Sequence, residues 1–425
     1  MNSNQALVLF TGSYPYYSQD SLTEQSFLQI EVQYLAEAFQ PLIIAPNYQF
    51  NHKSSLPDGV KVDLSYSRFV REAQTKSRIL HILKHPLFFQ EVLSHPRLWL
   101  KPEVIRGLAR RALHVLATRD WVIELFQKYG LDPENTIFYT YWLNNITLGV
   151  GMAKQKFPAI CLASRAHGGD LYHDRRPFSY FSYRSQTLRL LDRLFLISEH
   201  GRIYITDVYP RMTPICEVSR LGVRDFGFIN PGSKDGVFRI VSCSSLTLVK
   251  RVDLLLLGIA QSALDRPGQL FEWNHFGDGP MADDILLLAE RSMPSNISWH
   301  FHGSLPNAQI IRFYRENPID LFGNVSSSEG IPVSIMEAAC FGIPLMATAV
   351  GGTPEIVSEQ NGKLLSSNPF PKEIAKDILD LLDHPQLRMQ AGNSSRRTWQ
   401  LGYDADRNYS EFVNRLIIAR VGNAQ

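Results

Sequence analysis

Cysteine is scarce in this sequence: Cys161, Cys216, Cys243 and Cys340 are the only four in 425 residues, and none sits in a CxxC pair or at zinc-ligand spacing. That excludes a disulfide framework and a cysteine-based metal site, and it fits a reducing cytoplasm. Long apolar runs are missing too. No stretch approaches the roughly 20 apolar residues that span a bilayer, and the opening MNSNQALVLFTGSYPYY lacks the basic leader and apolar run of a signal peptide. The expectation is a soluble protein, or one held at a membrane surface. An excess of either charge is also lacking. With 43 basic and 41 acidic residues the formal charge is +2, so there is no global basic balance of the kind nucleic-acid binders carry.

What is present is 44% apolar residues over a length better suited to two domains than one. ALVLFTGSYPYY reads as a buried strand running into a small-residue loop. A helical pattern follows (Phe27, Ile30, Tyr34, Leu35, Ala38), and then a second short strand, PLIIAP. Strand, helix, strand at this spacing predicts a parallel α/β sheet. The alternation resumes at TIFYTYWLNNITLG and AICLASRAHGGDLY and runs to CEVSRLGV. INPGSKDGVF then collects Asn230, Pro231, Gly232, Ser233, Asp235 and Gly236 in one short stretch, which marks a domain boundary. A second alternation begins at FRIVSCSS. The fold class expected is α/β, with two Rossmann-like domains facing a cleft: residues 1–232, 233–400, and a terminal helix over 401–425 that either crosses back to the first domain or caps its own.

Between about 66 and 120 the composition shifts. Arg68 to Arg119 hold eleven Lys/Arg against three Glu, a local charge of +8, with Leu, Ile, Phe and Trp interleaved. This predicts a basic, amphipathic, mostly helical insertion. It is either a solvated face on ordinary core helices or an attachment to an anionic membrane.

The stretch EGIPVSIMEAACFGIPLMATAVGGTPEIV places Glu329 and Glu337 eight residues apart. Pro332 suits a first helical position, Gly342 the residue past the end, and Pro344 a stop, which predicts a helix over about 331–341. Glu329 then lies at a strand's carboxyl end and Glu337 about 7.5 Å along the helix axis. Either glutamate can be bland, Glu329 a favourable first-turn acid and Glu337 a surface residue. The neighbours of Glu337 are apolar or small, however, so its carboxylate requires a partner. Acidic residues that hold ribose hydroxyls recur in nucleotide-binding α/β folds. Two of them at one helix end suit a ligand with two sugars joined by a charged linker, such as a nucleotide-sugar.

With SRLGV (Ser219–Val223), GDGP (Gly277–Pro280), HGS (His302–Ser304), the E-x7-E pair and FGIPLMATAVGGTPEIV in this order, nearly the whole chain resembles the retaining GT-B glycosyltransferases of the family 4 type. The resemblance implies that Glu329 bonds the donor's sugar hydroxyls and Glu337 the ribose. Gly330 and Ile331 would present backbone N–H groups to the diphosphate, and Gly351 and Gly352 would allow close backbone approach, although a simple turn explains them equally. An Arg and a Lys five residues apart usually clamp the diphosphate in this family. Lys250 fills the second place, Ser245 stands in the first, and Arg251 is a substitute. Gly12 and Ser13 would lie under the donor phosphates without the double glycine common elsewhere. In SRAHGGDLY, His167 would meet the donor sugar, with Arg165 and Asp170 on the acceptor side supporting its loop; a lone histidine can equally be structural.

The catalytic set so implied is His167, Glu329 and Lys250. The reaction is transfer with retention from a UDP- or GDP-sugar to a glycan or lipid-linked glycan. The leaving phosphate oxygen takes the acceptor's proton, and neither cofactor nor metal is needed because no plausible loop carries an Asp-x-Asp motif. The alternatives are a soluble transferase making a small glycoside and a catalytically silent nucleotide-sugar binder. A cytoplasmic site, with possible attachment to the membrane's cytoplasmic face, completes the expectation.

Overall fold

The computed structural model describes residues 5–18, 23–73, 82–98 and 101–421. The chain forms two compact units, one of Met1–Ile197, Gly201–Ser219 and Tyr409–Gln425, the other of Ser198–His200 and Arg220–Asn408.

The strands of the first unit are β1 (Ala6–Thr11), β2 (Tyr16–Tyr17), β3 (Leu42–Pro46), β4 (His52–Lys53), β5 (Lys61–Val62), β6 (Thr136–Thr140), β7 (Cys161–Ala166), β8 (Arg193–Leu196) and β9 (Cys216–Val218). Seven of them make a parallel sheet in the order β5-β3-β1-β6-β7-β8-β9. Every residue of β1 is buried, and the period of two sends alternate residues to opposite layers. Val8 and Phe10 join Trp121, Val122 and Leu125 of the helix Pro102–Tyr129. Leu7 and Leu9 join Leu28, Val32 and Leu35 of the helix Thr23–Ala38. Phe412 completes that second layer, with its ring centre 5.2 Å from Tyr139 and 5.0 Å from Phe195.

The basic segment is helical where it is described. Ser65–Ala73, Pro86–Ser94 and Pro102–Tyr129 are helices, the last running well past 120 and ending at Gly130. Part of the expected insertion, 74–81 and 99–100, lies outside the described residues, as does the Phe27 side chain. Much of its apolar content is ordinary core: Leu87, Phe88, Leu108 and Leu113 pack with Leu148 and Tyr183.

The second unit has β10 (Val237–Cys243), β11 (Leu270–Phe276), β12 (Ile297–Phe301), β13 (Leu321–Asn324), β14 (Leu345–Thr348) and β15 (Gly362–Leu365), parallel in the order β12-β11-β10-β13-β14-β15. Its first strand is therefore central, and the strand order reverses between β10 and β13. The crevice outside the carboxyl ends at such a reversal is where open α/β sheets bind ligands.

The chain passes to the second unit at Arg220, ahead of the Asn-Pro-Gly cluster at 230–232. The reason is backbone pairing. Val223 N–H donates to Tyr403 O (2.9 Å) and Asn230 N–H to Phe341 O (2.8 Å), so 220–232 is already part of the second unit. Trp399 and Tyr403 pack within that unit too, their side chains donating to Val223 O (3.1 Å) and Glu355 O (3.1 Å).

Candidate functional site

Lys250 follows β10 and Glu329 follows β13, so the two strands that flank the reversal deliver them to the same place. The Lys250 Nζ lies 2.5 Å from Glu329 Oε1, and the carboxylate is buried while the ammonium is partly exposed. An ammonium has three N–H donors, and one is committed to Glu329. The others are available to phosphate oxygens, and the second carboxylate oxygen to a sugar hydroxyl.

The helix beyond Glu329 is shorter than the sequence predicts. It spans Val333–Cys340, with Pro332 at the N-cap in an extended conformation (φ −67°, ψ 128°) rather than at the first helical position. The carboxyl end follows the expected punctuation. Gly342 takes φ 68°, its N–H donates to Ala339 O (2.9 Å), and the Ile343 N–H donates to Ala338 O (3.1 Å). The loop from Glu329 to Ile331 is held by the Gly351–Gly352 turn. Gly352 N–H donates to Gly330 O at 2.8 Å. Gly351 sits at φ 53°, where a Cβ would fall 1.8 Å from Glu329 O. The close approach these glycines permit is thus to the backbone that carries Glu329.

Glu337 is buried inside the helix, and its Oε1 accepts from Asn307 Nδ2 at 2.7 Å. Burial pushes the carboxyl up from 4.5 to about 7, with the Asn307 amide opposing. Asn307 is the partner that the apolar surroundings demanded, and the sequence did not single it out. Its only local signal is its place just after Pro306, opening the helix Asn307–Glu316. Two other residues missed are Ser326 and Thr353, on the loops after β13 and β14, whose buried hydroxyls have no hydrogen-bond partner among the described residues.

Arg251 does not serve as the substitute cation. It takes a left-handed conformation (φ 48°) that turns it away from Lys250, and its guanidinium donates to Val325 O (2.7 Å), Ser326 O (2.9 Å), Ser367 O (2.9 Å) and Asn368 Oδ1 (3.0 Å). It clamps the loop after β13 to the one after β15. Ser245 is exposed, so Lys250 is the cation these positions leave for an anionic ligand.

In the first unit the strand order reverses between β1 and β6, and Gly12 and Ser13 follow β1. Their carbonyls accept from Tyr48 N–H (2.8 Å) and Tyr16 N–H (2.7 Å). His167 follows β7. Its ring is buried against Tyr141 and Trp142, with centres 4.6 and 4.3 Å away, and neither ring nitrogen has a hydrogen-bond partner among the described residues. Asp170 shapes this loop: Oδ1 accepts from His167 N–H (2.7 Å), Oδ2 accepts from Leu143 N–H (2.9 Å), and His167 Nδ1 lies 3.7 Å from Oδ2. Burial pushes the Asp170 carboxyl up, but the imidazole and these two amides outweigh it and hold it below its ordinary value.

Arg165 is not an acceptor contact. It is fully buried, donates to Glu31 Oε2 at 2.7 Å and to Ser219 Oγ at 3.4 Å, and lies 4.1 Å over the Phe412 ring. β7 points alternate residues to opposite layers, and Arg165 falls in the layer with Phe412.

Residues 224–398 match the protein family described as "Glycosyl transferases group 1". The chain is 26% identical over 232 residues to the D-inositol 3-phosphate glycosyltransferase of Segniliparus rotundus, covering 50% of each chain. It is 26% identical over 215 residues to the putative colanic acid biosynthesis glycosyltransferase WcaL of Salmonella typhimurium, covering 49% of this chain and 52% of that one. The chain thus spans about half the length of these curated relatives. Among solved structures, S. aureus TarM in complex with fondaparinux, alpha-GlcNAc-glycerol and UDP superposes with a TM-score of 0.66 at 12% identity, covering 97% of this chain and 99% of that one. Anabaena HepE in complex with UDP and glucose gives 0.63 at 12% identity, with 97% and 99% covered. The fold is GT-B, and residues 224–398 of its second unit match the glycosyl transferases group 1 model.

Proposed function

We propose that the chain is a retaining, metal-independent glycosyltransferase that moves a sugar from a nucleotide-sugar to a glycan or lipid-linked glycan in cell-surface polysaccharide biosynthesis. The observation that carries this is the Lys250–Glu329 pair at the strand reversal, with buried Glu337 in the adjoining helix. Glu337 accepts from the ribose hydroxyls, Glu329 from hydroxyls of the transferred sugar, and Lys250 neutralises the leaving diphosphate, so the protein contributes position and charge stabilisation. His167, whose ring is buried beside Tyr141 and Trp142, is assigned to the donor sugar. The relatives' described roles in polysaccharide assembly and the UDP held by TarM and HepE support a UDP-sugar as the first donor to test.

A second reading rests on one observation. With Ser245 exposed and Arg251 committed to carbonyls, the family's usual second cation is missing, as it would be in a protein that binds a nucleotide-sugar without turning it over. Nucleotide release and equilibrium binding, measured across a panel of UDP- and GDP-sugars, separate the two. Saturable binding with no release establishes the silent binder. Failure of every sugar nucleotide to bind sinks both readings.

We propose a cytoplasmic protein that can attach to the membrane's cytoplasmic face. Among the described residues no helix is long and apolar enough to cross a bilayer. The helix Pro86–Ser94 exposes Phe89 and Leu93, in a segment rich in Lys and Arg that suits an anionic surface.

A further inference from the structure

In the first unit, three arginines converge on one small cavity. Arg111 from the long helix, Arg176, and Arg184 at the start of the helix Arg184–Arg189 line a space of about 210 Å³ together with Asn144, Asn145 and Phe181. Two of the guanidiniums share one ring: Arg184 lies 4.1 Å and Arg176 5.2 Å from the Phe181 centre. None of the three forms an ion pair with a carboxylate among the described residues, and no described acid lines the cavity. Arg184 is only 5% exposed. One end of its guanidinium donates to Asp170 O, and its Nη1 has no hydrogen-bond partner among the described residues. Burial draws its pKa down to about 10, the nearby Asp170 carboxylate opposing and the Arg176 charge adding to the effect, and it stays cationic at neutral pH. Three cations lining one cavity with no described carboxylate on its wall cost free energy that an anion would recover.

The surroundings add a second feature. A neighbouring chamber of about 400 Å³ shares Tyr180, Phe181 and Arg184 and adds Phe178 and Tyr209. Glu91 also lines that chamber, but its oxygens are taken by Tyr183 N–H (2.7 Å), the Tyr180 hydroxyl and Gln186 Nε2 (2.9 Å). The arginine cavity gathers three cations and no described acid, whereas the chamber sets Arg97 and the shared Arg184 against Glu91. An anionic group is therefore favoured in the former, while the aromatic walls of the latter offer faces on which neutral sugar rings stack.

We propose that this cavity binds the oxyanion of a charged sugar, a phosphate or a carboxylate, and that the adjoining aromatic chamber takes the uncharged sugar next to it. The proposal rests on the transferase reading in calling that glycan the acceptor; the binding itself does not.

The test is calorimetric titration of the full chain with glucose 6-phosphate, glucuronate and glucose. At least one charged sugar binds about tenfold or more tightly than glucose, the scale of one charge-assisted hydrogen bond, and the affinity falls as salt is raised. The phosphate and carboxylate arms identify which charged group is preferred. Arg111 and Arg176 are exposed, so the double variant Arg111→Ser/Arg176→Ser keeps its fold, checked by an unchanged melting temperature, and loses about tenfold in affinity. Glucose binding as tightly as both charged sugars, no saturable binding of either, or a double variant with undiminished affinity would overturn the proposal. Charged-sugar binding without any sugar-nucleotide turnover would instead sink the transferase reading and leave the cavity's role intact.

Discussion

Replacing Glu337 with glutamine tests the electrostatics of the nucleotide end of the site. In the folded protein burial moves the Glu337 carboxyl from 4.5 to about 7. The folded state therefore holds a proton that the unfolded chain releases across that window. The stability associated with this proton is fully present below about 4.5 and is lost as pH rises through about 7. The difference amounts to roughly 3 kcal/mol at alkaline pH. Glutamine keeps an oxygen for Asn307 and never ionises, so Glu337→Gln escapes this loss. The assay is thermal unfolding of both proteins in buffers spanning pH 5 to 8.5. The variant's melting temperature, level with the wild type at the acid end, rises above it with pH by about 6–12 °C, taking roughly 2–4 °C per kcal/mol for a unit of this size. UDP affinity moves the other way, because ribose hydroxyls donate to the ionised carboxylate. The wild type binds more tightly as pH climbs from 6 to 8, and the variant is weak and flat. A gap in melting temperature that stays constant over the whole range would refute the assignment of Glu337 as a carboxyl poised by burial.

Glu329→Ala is expected to abolish turnover while leaving UDP affinity within a few-fold of wild type, read by product formation and calorimetry side by side. Arg165→Leu strands the buried Glu31 carboxylate and costs roughly 3–5 kcal/mol in urea unfolding, and the combined Arg165→Leu/Glu31→Gln variant recovers most of that loss. Gly351→Ala forces a Cβ against Glu329 O at a left-handed backbone position, so it destabilises by at least about 2 kcal/mol and lowers turnover. For the basic segment, sedimentation with anionic liposomes is expected to fall as salt rises, and removing charge by Lys84→Gln/Arg97→Gln weakens it; equal sedimentation with neutral vesicles removes the membrane argument.

Most of the strand skeleton was legible because strands buried on both layers read as short apolar runs, as in ALVLFT and LIIAP. The buried setting of Glu337 was legible for a different reason: an acid among Met, Ala and Cys needs a partner or a ligand. What the sequence hid depends on contacts far along the chain or on backbone handedness. Asn307 meets Glu337 only because two helices pack together. The commitment of Arg251 follows from a positive φ that no local pattern announces. Arg165 sits in a motif whose text suggested function, and only the assignment of β7's alternate residues to the two layers reveals it as a buried clamp. The three cavity arginines are dispersed over the chain from 111 to 184, and two of them come from loop and short-helix segments with no periodic signal.

The strand reversal has a consequence for how the protein is made. β10 and β13 are neighbours in space, but Lys250 and Glu329 are separated by 79 positions in the chain. At ribosomal speeds of roughly 5–20 residues per second, the lysine emerges about 4–16 s before its counter-charge. Throughout that interval β10 presents an open edge ready to pair with a foreign strand. The two charged ends of the site are thus joined only after a long wait, and nascent chains arrested between these two residues should depend strongly on chaperones.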